Sequence, residues 1–150
     1  MFFSESDGQF KLVDGEIIGP ALTKTTFLSG SLGQQATVFV QNREWSSYKL
    51  SDMQVFGYWF VVILFFHYER LYKITLYRLD KTEKYPDRSE KGLLEIKKKN
   101  DAILKEVLGT PPYTYVWGTV TTSVDMKGGS SIISISYGTH PNLQTKPQSY

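Results

Sequence analysis

At 150 residues and 41% hydrophobic side chains, the chain is long enough for one domain with a real core. It contains no cysteine, which excludes disulfides and thiolate metal sites. Seventeen basic and 15 acidic side chains leave a net charge of only +2, too balanced for a general nucleic-acid binder.

The first residues, Met1-Phe-Phe-Ser-Glu-Ser-Asp-Gly, carry acids where a secretory signal needs bases, and no apolar region follows them. The expected location is cytoplasmic. Phe10-Lys-Leu-Val13 reads as the strand that opens the sheet, with Asp14-Gly15 as a turn before Glu16-Ile-Ile18. After Pro20, Thr23 can cap a short helix to about Leu32, with Leu28 and Leu32 on one face and Gly33 ending it in the left-handed position. Thr37-Val-Phe-Val-Gln41 and Tyr48-Lys-Leu50 follow as strands, joined through the polar turn Asn42-Arg-Glu44.

The stretch Phe56–Tyr68 is 13 residues of aromatic and β-branched side chains, the longest apolar run in the chain. It is shorter than the roughly 18 to 20 residues that cross a bilayer, so it reads as a central strand buried on both faces. Leu71 to Leu79 returns with Tyr72, Ile74 and Leu76 alternating against Lys73, Thr75 and Tyr77, the pattern of a half-exposed strand. No turn residue sets the register of this pair.

Asp80 to Arg88 is a charged loop, and Asp87-x-x-Glu90 has the spacing of a capping box. From about Ser89 to Leu108, apolar residues at Leu93, Ile96, Ile103 and Val107 make one helical stripe, placing Lys97, Lys98 and Asp101 in water. Gly109 and Pro111-Pro112 stop the helix. The final hairpin fits a three-residue loop, Met126 to Gly128, with Gly128 left-handed. That register sets Trp117 opposite Tyr137, Thr119 opposite Ile135 and Thr121 opposite Ile133. Gly138 to Tyr150 is polar and aperiodic, so residues 139–150 are expected to form a flexible tail beyond a domain of 1–138.

The predicted architecture is therefore α+β. A single antiparallel sheet of about five to seven strands, a meander plus a C-terminal hairpin, packs against one long amphipathic helix, with a short N-terminal helix. No catalytic motif stands out. His67 ends the core strand and reads as a side chain with a hydrogen-bond partner. No acid and histidine cluster has metal-ligand spacing, and no cofactor is implied. Gly30-Ser-Leu-Gly33 lacks the lysine and serine of a phosphate loop.

Two features exceed what folding requires. Segment 78–99 holds eight bases against five acids, and within it Lys97-Lys98-Lys99 reads either as a solvated helix face or as a docking surface for an acidic partner. Tyr113, Tyr115 and Trp117 alternate on one face, and any that are exposed suit an interface anchor or a base-stacking platform.

The order of features runs from Phe10-Lys-Leu-Val-Asp-Gly-Glu-Ile-Ile-Gly-Pro20 through a meander and a lysine-rich helix to Trp117-Gly-Thr-Val and Asp125-Met-Lys-Gly-Gly. It resembles small bacterial cytosolic proteins of the toxin-immunity type. The resemblance covers most of the chain and carries no individual functional residue. It implies a non-enzymatic protein-binding module whose partner is a toxin domain, acidic if the lysines meet it, with no membrane role. The alternative is a small-molecule, nucleotide or RNA-binding domain.

Overall fold

A computed structural model describes residues 2–79 and 87–138. The expected tail, 139–150, and most of the charged loop lie outside them.

The first three strands, β1 (Phe2–Ser4), β2 (Gln9–Lys11) and β3 (Ile17–Ile18), form an antiparallel sheet of their own. The expectation that Phe10–Val13 opens the main sheet is corrected here. The Asp14-Gly15 turn, with Gly15 at φ 92° and Asp14 Oδ1 accepting the Glu16 N–H at 2.9 Å, folds β3 back onto β2. Phe10 and Ile18 then point into the core, so this small sheet is a separate layer over it.

Thr23 caps as expected, its hydroxyl accepting the Thr26 N–H at 3.1 Å. The helix it starts is split, however, into α1 (Lys24–Ser29) and α2 (Ser31–Gln35). Gly30 breaks it in an extended conformation, and Gly33 lies inside α2 instead of ending the helix. A Cβ at Gly33 would overlap the Phe27 carbonyl, so that glycine serves the close approach of α2 to α1.

The main sheet contains β4 (Thr37–Gln41), β5 (Trp45–Lys49), β6 (Met53–Val55), β7 (Tyr58–His67), β8 (Arg70–Arg78), β9 (Tyr113–Tyr115), β10 (Gly118–Asp125) and β11 (Ser130–Tyr137). Its order is β4-β5-β7-β8-β11-β10-β9, with β6 pairing β7 beyond the end of β5. Eight antiparallel strands exceed the expected five to seven, because β6 and β9 are only three residues each. Phe56-Gly57, read from the sequence as part of the core strand, is instead the two-residue turn between β6 and β7. Its φ values of 56° and 83° match the twist of a tight hairpin. Asn42 makes the expected turn before β5, its Oδ1 accepting the N–H of Glu44 and of Trp45.

In β7, Phe60, Val62, Leu64 and Phe66 are fully buried against Phe10, Ile18 and Phe27 of the N-terminal layer and Ile103 and Leu104 of the long helix. The opposite face carries Val61, Ile63 and Phe65, and of these only Ile63, at 4%, is fully buried. Burial on both faces is thus corrected: one face is fully buried, and on the other Val61 and Phe65 stay half-buried. β7 and β8 pair Phe60 with Arg78 through Phe65 with Lys73, then slip by a bulge to close at His67 and Arg70.

Helix α3 (Glu90–Leu108) lies against β10 and β11. Its cap is Ser89, whose hydroxyl accepts the Gly92 N–H at 3.2 Å. Asp87 instead accepts the Ser89 N–H at 2.9 Å, so the expected capping box starting at Asp87 is a turn that presents the true cap. Leu93, Asn100, Ile103 and Leu104 are buried, Lys98 and Asp101 are exposed and Lys97 is half-buried. Val107 is 42% exposed, against expectation, because in the last turn Leu108 reaches the core in its place. Gly109, at φ 85°, ends the helix as expected.

The β10–β11 register differs by one residue from expectation: Gly118 faces Tyr137, Val120 faces Ile135 and Thr122 faces Ile133. The loop has four residues, not three. Asp125 pairs with Ser130, its Oδ1 accepts the Gly128 N–H at 2.9 Å, and Gly129 takes the left-handed position at φ 70°. Two adjacent glycines suit either loop, and burying Val120 with Ile133 and Ile135 selects the longer one. No helix among the described residues is long and apolar enough to cross a membrane.

Candidate partner-binding surface

The lysine run of α3 is divided among different environments. Lys97 Nζ bonds Asp101 Oδ2 at 3.0 Å, and Lys98 Nζ lies 3.8 Å from Glu95 Oε1. Exposed pairs of this kind stabilise a helix by a few tenths of a kcal/mol. Burial alone would raise the Asp101 carboxyl. Hydrogen bonds from Thr122 and Lys97, with the Lys97 charge, outweigh it and hold the group below the usual range. Lys99 is exposed and has no ion pair among the described residues.

Tyr113, Tyr115 and Trp117 are half-buried and packed on the core. Tyr113 donates its hydroxyl to the Gly109 carbonyl at 2.9 Å, and Trp117 Nε1 donates to the Glu5 carbonyl at 2.8 Å. The Tyr115 ring stacks on Trp117 with centroids 4.8 Å apart and planes within 5°. Burial raises the Tyr115 phenol, with the Glu5 charge adding to the effect, and it raises Tyr113 likewise beside Asp101. A Cβ at Gly8 would run into the Trp117 ring. Tyr115 and Trp117 therefore close the seam between the small sheet and β9–β10, and Tyr113 ties β9 to the end of α3. Asp101, which takes Lys97 and influences Tyr113, is the link between the two predicted groups.

A cleft of about 630 Å³ is lined by residues of β7, β8, the first half of α3 and the β10–β11 turn. Phe39, Val61, Ile63, Leu79, Leu93 and Ile96 give it apolar lining, with Tyr77 beside them. Lys49, Arg78, Arg88 and Lys99 stand around it, against the single lining carboxylate of Asp125 among the described residues. No ion pair among those residues joins any of the four cations. Arg78 lies over the Tyr58 ring at 4.9 Å, and Arg88 runs beside Gly129. Ser131 also lines the cleft. It is 5% exposed, and its hydroxyl has no hydrogen-bond partner among the described residues.

The fold is shared with a solved protein. One chain of the complex described as "Rhs1-CT in complex with cognate immunity protein RhsI1" has a TM-score of 0.56 to this chain at 14% sequence identity. The match spans 98% of this chain and 95% of that one. At such an identity the likeness is one of fold alone. The resemblance drawn from the sequence thus has a structural counterpart in an immunity-protein complex. No protein-family model matches the chain, and no curated protein matches it in sequence.

Two further surfaces carry apolar side chains. On the outer face of the sheet, Trp45 stacks on His67 with centroids 4.1 Å apart, and Lys73 sits 4.6 Å over the Phe65 ring. Burial among these rings pulls the Lys73 ammonium below its usual range. His67 has the expected partner, Glu44 Oε1 at 2.7 Å. At the sheet edge, Val38, Phe39 and Val40 of β4 are all exposed. Among the described residues no group of three or more acids and histidines is placed to hold a metal.

Sequence reasoning found Lys99 and missed the rest of the cleft. Lys49, Arg78 and Arg88 are scattered along the chain, and only the charge excess of segment 78–99 pointed toward two of the cations.

Proposed function

We propose that this chain is a non-enzymatic protein-binding module of the immunity type, one that binds and neutralises a cognate bacterial toxin in the cytoplasm. The observation that carries the reading is the fold likeness, over nearly the whole length of both chains, to a member of the Rhs1-CT and RhsI1 complex. The cations around the cleft, which form no ion pair among the described residues, support an acidic contact on the partner. Of the sequence-predicted set Lys97, Lys98, Lys99, Tyr113, Tyr115 and Trp117, Lys99 is assigned the direct contact. Lys97 and Lys98 have intrahelical partners, and the aromatics are proposed to support the surface from behind.

A second reading, a small-molecule or nucleotide site, is favoured by the same cleft. Its volume falls within the roughly 300 to 1,000 Å³ of small-ligand pockets, and its lining is apolar with a few polar groups.

Co-expression with candidate toxin domains encoded beside its gene tests the first reading. The expected result is restored growth and co-purification with one of them, while the chain alone leaves growth unchanged. Failure to rescue or bind any toxic neighbour, with a metabolite retained through purification, favours the second reading. Growth arrest by the chain alone would place it on the other side of such a pair.

A further inference from the structure

We propose that the cleft beside α3 seats an acidic segment of the protein partner, one that alternates carboxylate and apolar side chains. This deepens the protein-binding reading and rests on it for the source of the segment.

The charge comes first. Lys49 from β5, Arg78 from β8, Arg88 before α3 and Lys99 on α3 reach one space of about 630 Å³ from separate parts of the chain. Their mutual repulsion opposes folding, and no ion pair among the described residues offsets it. An occupant bearing carboxylates removes that repulsion and forms charge-assisted hydrogen bonds with both arginines.

The lining decides the rest of the chemistry. A free inorganic anion would leave the half-buried Val61 and Ile96 and the exposed Phe39 uncovered, and an apolar ligand would leave the cations unmatched. A peptide with both kinds of side chain meets both surfaces.

The test is an amide chemical-shift titration of the full, isotope-labelled chain. The probes are the peptide acetyl-Glu-Phe-Glu-Leu-Glu-amide, its Gln-for-Glu counterpart, ATP and inorganic phosphate. The acidic peptide is expected to move the amides of Ile63, Ile96, Lys99 and Ser131, with affinity that falls as salt rises. The Gln peptide should bind at least roughly tenfold more weakly, as should the acidic peptide to the double variant Arg88→Glu, Lys99→Glu. Lys97→Glu with Lys98→Glu, on the same helix outside the cleft, should change affinity less than about twofold. Arg88 and Lys99 are exposed, and the same spectra verify the fold of each variant. Should the double variant unfold, Lys99→Gln alone must still weaken binding.

Three results would overturn the inference: no movement at the cleft amides, equal binding of the Gln peptide, or ATP or phosphate binding there while the peptide is inert. The titration needs no toxin. Its failure leaves a growth-rescue result standing, and failed rescue leaves cleft binding standing.

Discussion

Asn100 offers a test that runs against the usual direction of core mutagenesis. It sits on the inner face of α3, 0% exposed, and neither its amide nitrogen nor its amide oxygen has a hydrogen-bond partner among the described residues. Burying an amide without such bonds costs about 1 to 3 kcal/mol on mutational scales. Asn100→Leu removes that cost, keeps the same branched shape and gains a few tenths of a kcal/mol in helix propensity. Its methyl groups are bulkier than the amide, and the crowding takes back up to about 1.5 kcal/mol. The expected net is a stabilisation of between about zero and 3 kcal/mol. In a chain of 150 residues that raises Tm by up to about 10 °C. Urea titration should show a higher midpoint at unchanged slope, and calorimetry the higher Tm. A loss of about 1 kcal/mol or more would refute the reasoning, because it would mean the amide is hydrogen-bonded in solution.

Leu64→Ala should cost about 2 to 5 kcal/mol, since Leu64 is fully buried between Tyr48 and Ile74 of the flanking strands; a denaturant titration losing under about 1 kcal/mol would displace β7 from the core. Asp101 governs a pH effect. Its carboxyl is held below its ordinary 3.8, so its contribution is full above that value and is lost as pH falls through the lower folded-state value. Thermal melts between neutral pH and about pH 2 should show a smaller acid loss in Asp101→Asn than in the parent, and parallel curves would remove the linkage.

The elements the sequence revealed are those whose signal is local. The 3.6-residue stripe of Leu93, Ile96 and Ile103 marks α3, and Gly109 marks its end, because backbone conformation and one-sided burial are encoded within a single turn. The apolar run of β7 and the turn at Asn42 are legible for the same reason. The α+β class follows from these alone.

What the sequence left open depends on which segment lies beside which. Local pattern reads Phe10–Val13 as a strand but does not say whether it joins the main sheet or a second one. Gly128 and Gly129 each suit a left-handed turn position, and only the burial of Val120 against Ile133 and Ile135 selects the four-residue loop. The same holds for chemistry. Lys97, Lys98 and Lys99 are equivalent as letters, yet Asp101 and Glu95 neutralise the first two, and the third stands with Lys49, Arg78 and Arg88 around one cleft. Tyr113, Tyr115 and Trp117 look like free anchors until the Gly109 carbonyl takes the first and the small N-terminal sheet closes against the other two. Local propensity specifies the strands and helices one at a time; charge neutralisation, side-chain burial and the shape of a cleft arise from contacts between distant segments, and those exist only once the chain has folded.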